Sequence, residues 1–375
     1  MGITLLIIGL IMFVGLVVVH EFGHFIAARR NGVDVEEFGI GFPPRVWKKK
    51  LKNKTLFTLN LLPLGGFVKL KGEHDADTEP GSYGSVSLWA KTKIILAGVV
   101  MNLVVAWVLF TIVALMGMPK LLDHQFTVPS DTKVTNQKVL VAYVEPNSPA
   151  EKAGLLTRDE LLSLTSPDGQ VYEINTVESL PKTTGQLADK EVTVTYVRNG
   201  ATGVTKATLR NTEEVEASKD SSEPKGYLGI SPTEFQLRRS TWSAPIVGAG
   251  VSAQFTGLTY KGLATAIGGL FKGDTAQASS QVSGPIGVFV ILKDGSLLGV
   301  QFMLMIIGVI SLTLAIINVL PIPALDGGRL FVTYLFRILR RPLSAKTEEL
   351  IHGLGFMTLM VLFVLITIVD VKRFF

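Results

Sequence analysis

The sequence predicts a polytopic α-helical membrane protein of four transmembrane helices, with a β-hairpin and an inserted water-soluble α+β domain. Two observations lead to this fold class. The 375 residues are 47% hydrophobic and 18% charged, which is too apolar for a soluble protein and too polar for one that lies wholly in lipid. The long apolar runs stand near the two ends of the chain, and a long, more polar stretch separates them.

Four apolar windows predict transmembrane helices, because each comes close to or reaches the roughly 17–25 residues that a span requires. The first window continues to about Ala28. It lacks the basic start and the small-residue cleavage site of a signal peptide, so we expect it to be retained as a span. The windows are Ile3–Val19, Ile94–Met118, Phe302–Leu320 and Gly353–Val369.

The basic residues predict the orientation of these spans. The segment Arg29–Lys93 holds twelve Lys and Arg against seven Asp and Glu, and the loop Pro321–Leu350 adds five more basic residues. Short loops rich in Lys and Arg stay on the cytoplasmic side. Both loops are therefore expected to be cytoplasmic, with the termini and the long stretch Pro119–Gln301 on the other side.

Charge and cysteine usage exclude some classes of site. The chain has no cysteine, so disulfides and thiolate metal sites are ruled out. The net charge of +5 is modest and spread along the chain, and no DNA- or RNA-binding motif is present. We therefore expect the lipid bilayer as a partner and no nucleic acid.

The stretch HEFGH, at the end of the first apolar run, predicts a metal site. His20 and His24 are four residues apart, so a helix places both on one face, and Glu21 lies beside them. Two imidazoles can bind Zn²⁺ while the carboxylate acts as general base toward water. The alternative is that these polar groups only pack a helix bundle, but ionisable groups within a membrane usually serve function.

Asp326 is the best candidate for the third metal ligand. It follows the third span, where Pro321 and Pro323 break the helix and Gly327-Gly328 permit a tight turn. The ends of the first and third spans both approach the cytoplasmic face, so Asp326 can meet the two histidines. The alternative is an aspartate that merely caps a loop.

These motifs together resemble the site-2 protease family of intramembrane zinc metalloproteases, and most of all its bacterial regulator-of-sigma-E branch. The resemblance covers nearly the whole chain. It rests on HEFGH and on NVLPIPALDG (Asn318–Gly327), supported by PLGGFVKLKGE (Pro63–Glu73), GPIG (Gly284–Gly287) and the longer stretch Gly308–Leu330.

The resemblance implies an active site and a substrate class. His20, His24 and Asp326 would bind one Zn²⁺ per chain, Glu21 would activate water, and Asn318 would hold the substrate backbone. The substrates would be single-span membrane proteins, such as remnants of anti-sigma factors or signal peptides. The enzyme would lie in the inner, cytoplasmic membrane with its site near the cytoplasmic side, a depth that the nearby Arg29 and Arg30 also favour.

Asn102 matches an intramembrane asparagine in the second span of this family. The family often has proline after the glycine of this stretch, where this chain has Val99. A role in substrate binding and a simple interhelical hydrogen bond both account for Asn102.

Two segments after the first span predict a β-hairpin. Glu36–Trp47 and Thr55–Leu70 alternate apolar and polar residues around Gly and Pro, and the matching segment of the family resembles a membrane-associated sheet. We expect an unpaired edge near Gly65 and Gly66 to bind the substrate as an added strand, which would unwind it for cleavage. The alternative is an amphipathic loop.

The stretch Val139–Leu209 predicts the compact, β-rich soluble domain, with a short helix from Ala150. SPAEKAGL (Ser148–Leu155) resembles a PDZ domain, a fold that binds chain ends by strand addition. Where that family usually has Gly-Asp, this chain has Arg158-Asp159. Binding of a peptide or chain end and steric exclusion of bulky substrates are both open roles.

The remaining segments complete the domain plan. Trp242–Phe271 predicts an amphipathic helix on the outer membrane surface, and Asp274–Ser283 a polar loop that either gates substrate entry or serves as a passive spacer. The predicted domains are 1–118 with the first two spans and the hairpin, 119–235 with the PDZ-like domain, 236–301 with the linker and surface helix, and 302–375 with the last two spans.

Two other functions fit parts of the pattern. A membrane-anchored PDZ adaptor with a non-catalytic metal site would have no need of Glu21. A metal transporter would place polar groups along several spans, whereas here they cluster at one depth. Both considerations favour the protease.

Overall fold

The computed structural model describes residues 2–198, 200–221 and 224–375. The chain forms two compact units. The helical unit contains the chain up to Met118, His124–Asp131 and Ser240–Phe375, and the sheet unit contains Pro119–Asp123 and Thr132–Arg239.

The described chain has its strands between the first and the sixth of its helices, and helices alone follow from the sixth to the end. In order they are α1 (Gly2–Arg30), β1 (Val35–Lys50), β2 (Leu56–Leu70), α2 (Leu88–Met116), β3 (Met118–Pro119), β4 (Lys133–Val144), α3 (Pro149–Lys152), β5 (Glu160–Thr165), β6 (Val171–Glu173), α4 (Ser179–Gln186), β7 (Glu191–Arg198), β8 (Ala201–Thr208), α5 (Thr212–Ser218), β9 (Ile230–Arg239), α6 (Ala244–Lys272), α7 (Thr275–Ser280), α8 (Pro285–Leu297), α9 (Val300–Val319), α10 (Asp326–Ile338) and α11 (Ala345–Phe374).

The helices α1, α2, α9 and α11 are each long and apolar enough to cross a membrane. A helix rises about 1.5 Å per residue, so about 20 residues match the hydrocarbon thickness of a bilayer. Each predicted span falls on one of these helices, although α2 ends at Met116 rather than at Met118. The prediction of four long apolar helices is therefore confirmed.

Close packing of α1 on α2 determines the geometry of the helical unit. A Cβ atom added at Gly23 would lie 2.5 Å from the carbonyl oxygen of Ala97, so only glycine lets the two backbones approach this closely. Further along α2, Phe110 is fully buried against α6 and α9. Its ring stacks on that of Phe255 with centroids 6.0 Å apart.

The predicted surface helix is present as α6, and one face of its first half is buried. Val247 and Val251 are at most 2% exposed and belong to the core around α2 and α9. Residues 124–131, predicted to belong to the soluble domain, lie in the helical unit. Asp131 there accepts hydrogen bonds from Ser243 and Thr241, and these bonds lower its pKa. Placement of α6 on the membrane surface stays a prediction.

Two segments predicted as loops contain helices instead. Asp274–Ser283 includes α7, which forms because the Asp274 carboxylate caps it by accepting from the Gln277 backbone at 2.9 Å. The loop Pro321–Leu350 includes α10. That helix buries only one side: Val332 and Thr333 are buried, while Phe331 and Ile338 are exposed.

The GPIG motif forms the N-terminus of α8, and an aspartate of α11 accepts a hydrogen bond from a backbone N–H of this motif. Asp370 is 1% exposed, and its carboxylate accepts the Gly287 N–H at 2.7 Å. A Cβ at Gly284 would lie 2.9 Å from the same oxygen. Glycine is therefore needed for the close approach of the carboxylate to the helix end, where a negative charge is stabilised.

The predicted hairpin is present as two long strands bent on themselves. Residues 35–40 of β1 pair antiparallel with residues 66–70 of β2, and residues 45–50 pair antiparallel with residues 56–60. Phe38 aligns with both Val68 and Phe57, so the four half-strands form one continuous sheet. Residues 66–70 and 45–50 are its two edges.

The sheet unit has the strand order β3-β9-β4-β5-β7-β8, with β6 paired to β5. Ser148 caps α3 by accepting from the Glu151 N–H at 3.2 Å, as the sequence SPAEK predicts. Arg158 has φ +76°, the left-handed conformation that glycine adopts most easily. Asp159 accepts two hydrogen bonds from Arg198, at 2.7 and 2.6 Å, which holds this turn despite the replacement of glycine by Arg158.

Candidate metal centre

Two imidazoles of α1 and one carboxylate of α10 meet within the helical unit. His20 Nε2 lies 3.0 Å and His24 Nε2 lies 3.2 Å from Asp326 Oδ2. The two Nε2 atoms are 3.1 Å apart. The three side chains thus form a compact triangle of ligand atoms of the kind that binds a metal ion.

The triangle has the size that zinc requires. With Zn–N and Zn–O distances of about 2.0–2.1 Å, ligand atoms at tetrahedral angles are about 3.3 Å apart. The three observed separations, 3.0, 3.1 and 3.2 Å, are close to this value. Two nitrogens and a carboxylate oxygen leave a fourth tetrahedral position open, as catalytic zinc sites do.

A sharp turn after α9 delivers Asp326. The backbone of Ala324 has φ +79°, and its N–H donates to His352 Nδ1 on α11 at 3.0 Å. The left-handed residue of this turn is therefore Ala324, and the expectation that Gly327-Gly328 form the turn is wrong. Both glycines lie in the first turn of α10, where a Cβ would come within 2.2 Å of the Val319 oxygen or 1.9 Å of the Ile322 oxygen.

The helix α2 supports both histidines from behind. His24 Nδ1 donates to the carbonyl oxygen of Ile94 at 2.8 Å, which leaves Nε2 free to bind a metal. His20 Nδ1 lies 3.3 Å from the Asn102 amide nitrogen. Contacts with the Ile94 carbonyl and the Asn102 side chain of α2 thus orient the two rings.

Gly98 provides the space in which the ring nitrogens lie. A Cβ at this position of α2 would be 2.5 Å from His24 Nε2 and 2.7 Å from His20 Nε2. Any larger residue would intrude on the atoms that face Asp326. The donor atoms, their spacing and this open position together fit a zinc ion.

Glu21 lies beside the triangle and is not part of it. It lies next to β2, since a Cβ added at Gly66 would be 3.7 Å from Glu21 Cγ. Glu21, His24 and Asp326 line one cavity of about 140 Å³. A larger cleft of about 460 Å³ is lined by Asp75 and three arginines and contains none of the ligands, so size does not identify the site. A carboxylate beside the metal ligands can accept a proton from water.

Three residues on the cavity wall were missed from the sequence. Tyr83, Arg329 and Glu73 line the same cavity. The Arg329 guanidinium lies 4.7 Å from the centre of the Tyr83 ring and donates to the Glu73 carbonyl. The Tyr83 hydroxyl has no hydrogen-bond partner among the described residues, and burial raises its pKa, so it is a neutral donor. In the sequence, Arg329 stands out only as one of the basic residues of the loop Pro321–Leu350.

The residues predicted to bind substrate are placed differently from one another. A Cβ at Gly66 would lie 3.7 Å from Glu21 Cγ, and one at Gly65 would lie 3.1 Å from Val17; both glycines are buried along α1. Asn318 is half-buried in the last turn of α9, and its side chain makes no hydrogen bond within the described part of the chain. Asn102 is 1% exposed behind His20.

Comparison with known proteins shows the family to which the chain belongs. Residues 8–362 match the profile described as peptidase family M50. A Clostridium perfringens protein named "Putative zinc metalloprotease" is 30% identical over 367 residues, which is 98% of each chain. A Clostridium acetobutylicum protein of the same name is 28% identical, over 98% of this chain and 97% of its own. An Enterococcus faecalis protein named "Probable protease eep" is 27% identical over 98% of each chain.

Proposed function

Because this chain belongs to peptidase family M50, we propose that it is an intramembrane zinc metalloprotease that cuts single-span membrane proteins within or near their transmembrane helices. Its membership of the family and the names of its relatives confirm the predictions of a metalloprotease and of zinc. The observation that carries the proposed site is the triangle of His20, His24 and Asp326 beside the carboxylate of Glu21.

Each residue of the site has a defined role in this proposal. His20, His24 and Asp326 hold the zinc ion, which polarises the scissile carbonyl and lowers the pKa of water when it is bound. Glu21 takes a proton from the attacking water and passes it to the leaving amine. Because Glu21 already faces the cavity beside the ligands, this proton transfer needs no rearrangement of α1.

Substrate presentation by β2 is the second part of the proposal. Residues 66–70 form an edge of the sheet, and the start of this edge lies against α1, since a Cβ added at Gly66 would be 3.7 Å from Glu21 Cγ and from Val18. A substrate segment added to this edge beside Gly65 and Gly66 would be extended and would pass the catalytic carboxylate. Asn318, near the turn that carries Asp326, is proposed to hold the substrate backbone.

The membrane arrangement follows the charge pattern. The helices α1, α2, α9 and α11 are proposed to cross the inner membrane, with the metal centre near the cytoplasmic side and the sheet unit outside the cytoplasm. The predicted domains, 1–118, 119–235, 236–301 and 302–375, describe this arrangement. The sheet unit is proposed to be PDZ-like and to select substrates, either by binding a chain end or by excluding bulky ones.

The test is cleavage of a single-span substrate by the purified chain in detergent. We compare wild type, Glu21→Gln and wild type with a zinc chelator. Wild type should cut within the span, and Glu21→Gln should lower the rate by about 10²–10⁴-fold while zinc content stays at one per chain. The proposal is contradicted if wild type binds zinc but cuts neither the full-length substrate nor one whose segment outside the cytoplasm has been shortened. That result would favour a membrane-anchored adaptor.

Cross-linking tests the strand edge directly, since the chain contains no cysteine. In the Glu21→Gln background, Lys69→Cys places one thiol on the edge next to α1, and Lys49→Cys places one on the opposite edge. A single-cysteine substrate should form a disulfide with Lys69→Cys and not with Lys49→Cys. Equal yields at both positions would count against strand addition at β2.

A further inference from the structure

Asn102 is a buried amide that lies directly behind one of the candidate ligands. It is 1% exposed, and its backbone carbonyl accepts a hydrogen bond from Ser311 Oγ at 2.8 Å. Its side-chain amide lies 3.3 Å from His20 Nδ1. The amide oxygen Oδ1 has no hydrogen-bond partner among the described residues.

The chemistry of a ligating imidazole explains this arrangement. Nε2 of His20 faces Asp326 at 3.0 Å, so a metal bound there takes the lone pair of Nε2 and the ring proton must reside on Nδ1. That proton needs an acceptor. Rotating the Asn102 amide by 180° about its last torsion exchanges its oxygen and nitrogen, and Oδ1 then accepts the Nδ1 proton.

We propose that Asn102 is a positioning residue that holds His20 in its Nδ1–H tautomer, so that Nε2 is presented to the metal. The helix α2 then supports both histidines in the same way, with the Ile94 carbonyl accepting from His24 Nδ1 at 2.8 Å. This inference rests on the proposed ligand role of His20. It is an alternative to the two roles that the sequence left open for Asn102, substrate binding and a simple interhelical hydrogen bond.

The location of Asn102 agrees with positioning rather than with substrate contact. Nδ1 and Nε2 lie on different sides of the imidazole ring, so Asn102 and Asp326 contact His20 from different directions. Asn102 is not among the residues lining the cavity that holds Glu21 and Asp326. Because Asn102 is 1% exposed, almost none of its surface is available for contact with a substrate.

The test measures zinc affinity of the purified full chain by competition with a chromophoric chelator. Asn102→Leu keeps the approximate size and removes the acceptor, and it should weaken zinc binding by about 10–100-fold. Asn102→Asp keeps an acceptor and should stay within a few-fold of wild type. Ser311→Ala removes a bond to the same asparagine without touching His20, and it should also bind zinc as wild type does.

The outcomes separate this inference from its alternatives. Wild-type affinity in Asn102→Leu overturns it, and a raised KM for substrate in that variant would restore the substrate-binding role. If Asn102→Leu does not fold, Asn102→Asp decides, because a folded Asn102→Asp with lost zinc affinity also overturns the inference. Zinc affinity is measured without substrate. Failure of wild type to cut a substrate would therefore overturn the proposed function, while the zinc affinities of the variants would still test the role of Asn102.

Discussion

Two buried or partly buried aspartates of the helical unit, Asp326 and Asp370, meet very different surroundings. Asp370 accepts a backbone N–H at the start of α8 and is 1% exposed. The side chain of Asp326 is 24% exposed and faces two imidazole nitrogens instead. An acid at a helix N-terminus is stabilised by the N–H groups that it meets, whereas Asp326 and its two histidines become fully satisfied when a cation lies among them.

The difference gives a rule for interpreting ionisable residues in apolar helices. Both aspartates are costly to bury, and both lie where a carboxylate gains compensation. The partner decides the role: backbone donors indicate a structural cap, and several unpaired acceptor atoms facing one point indicate a metal site. Asp370 therefore connects α11 to α8, and Asp326 belongs to the proposed metal site.

Exchanging each aspartate for asparagine should break the two regions in different ways. Asp326→Asn should lower zinc affinity by at least ~100-fold, because it alters a proposed ligand itself, and loss of a residue that merely supports a ligand already costs up to ~100-fold. Cleavage should fall with the zinc affinity. Asp370→Asn should leave zinc content unchanged and lower stability by about 1 kcal/mol, since the charge at the α8 N-terminus is lost. Measurements of metal content and thermal unfolding on both variants test whether Asp326 acts on the metal and Asp370 on stability. Loss of zinc in Asp370→Asn would show that the two regions are not separate.

A methyl group at Gly98 sharpens the metal side of the comparison. The added Cβ of Gly98→Ala would lie 2.5 Å from His24 Nε2, so the ring must move, and zinc affinity should fall by about 10–100-fold. Gly15→Ala on α1 is the matched control, because nothing lies within 4 Å of its added Cβ. Chelator competition on both variants is the measurement, and equal affinities would contradict the position assigned to Gly98.

Tyr83 neither caps a helix nor faces the metal site with a ligand atom, and removal of its hydroxyl should have the smallest effect on stability. Its hydroxyl is buried without a partner among the described residues, so Tyr83→Phe should change stability by no more than about 0.5 kcal/mol. Tyr334→Phe is the control, because it loses a hydrogen bond with Thr92 at 3.0 Å and should cost about 0.5–1.5 kcal/mol. Thermal unfolding that ranks the two variants in the opposite order would reveal a partner for Tyr83.

The sequence predicted the long helices, the hairpin and the grouping of His20, His24 and Asp326, but not the bend in the two strands. These depend on local patterns and on the end of the membrane at which each segment emerges, both of which a sequence displays. The metal ligands were predictable because few residue types can bind zinc and each stood at the expected depth.

The supporting residues depend on how the helices are rotated and offset, which one sequence does not display. Gly98 faces the ligands only because α2 presents that side to α1. Tyr83 joins the cavity through a loop with no regular pattern. The helix α10 did carry a signal, a mostly apolar run between Leu330 and Ile338 that Gly and Pro do not interrupt. Asp370, a lone acid in an apolar run, was also open to notice.

The contact between His20 and Asp326 joins positions 306 apart in the chain. The whole of Thr132–Arg239 lies between them, so a bound ion would close a ring of backbone that includes the sheet unit. The entropy of closing such a ring grows only with the logarithm of its length. The inserted unit can therefore be shortened, lengthened or duplicated at little cost to the binding of the ion, so the sheet unit can vary while the helical unit that contains the candidate ligands stays constant.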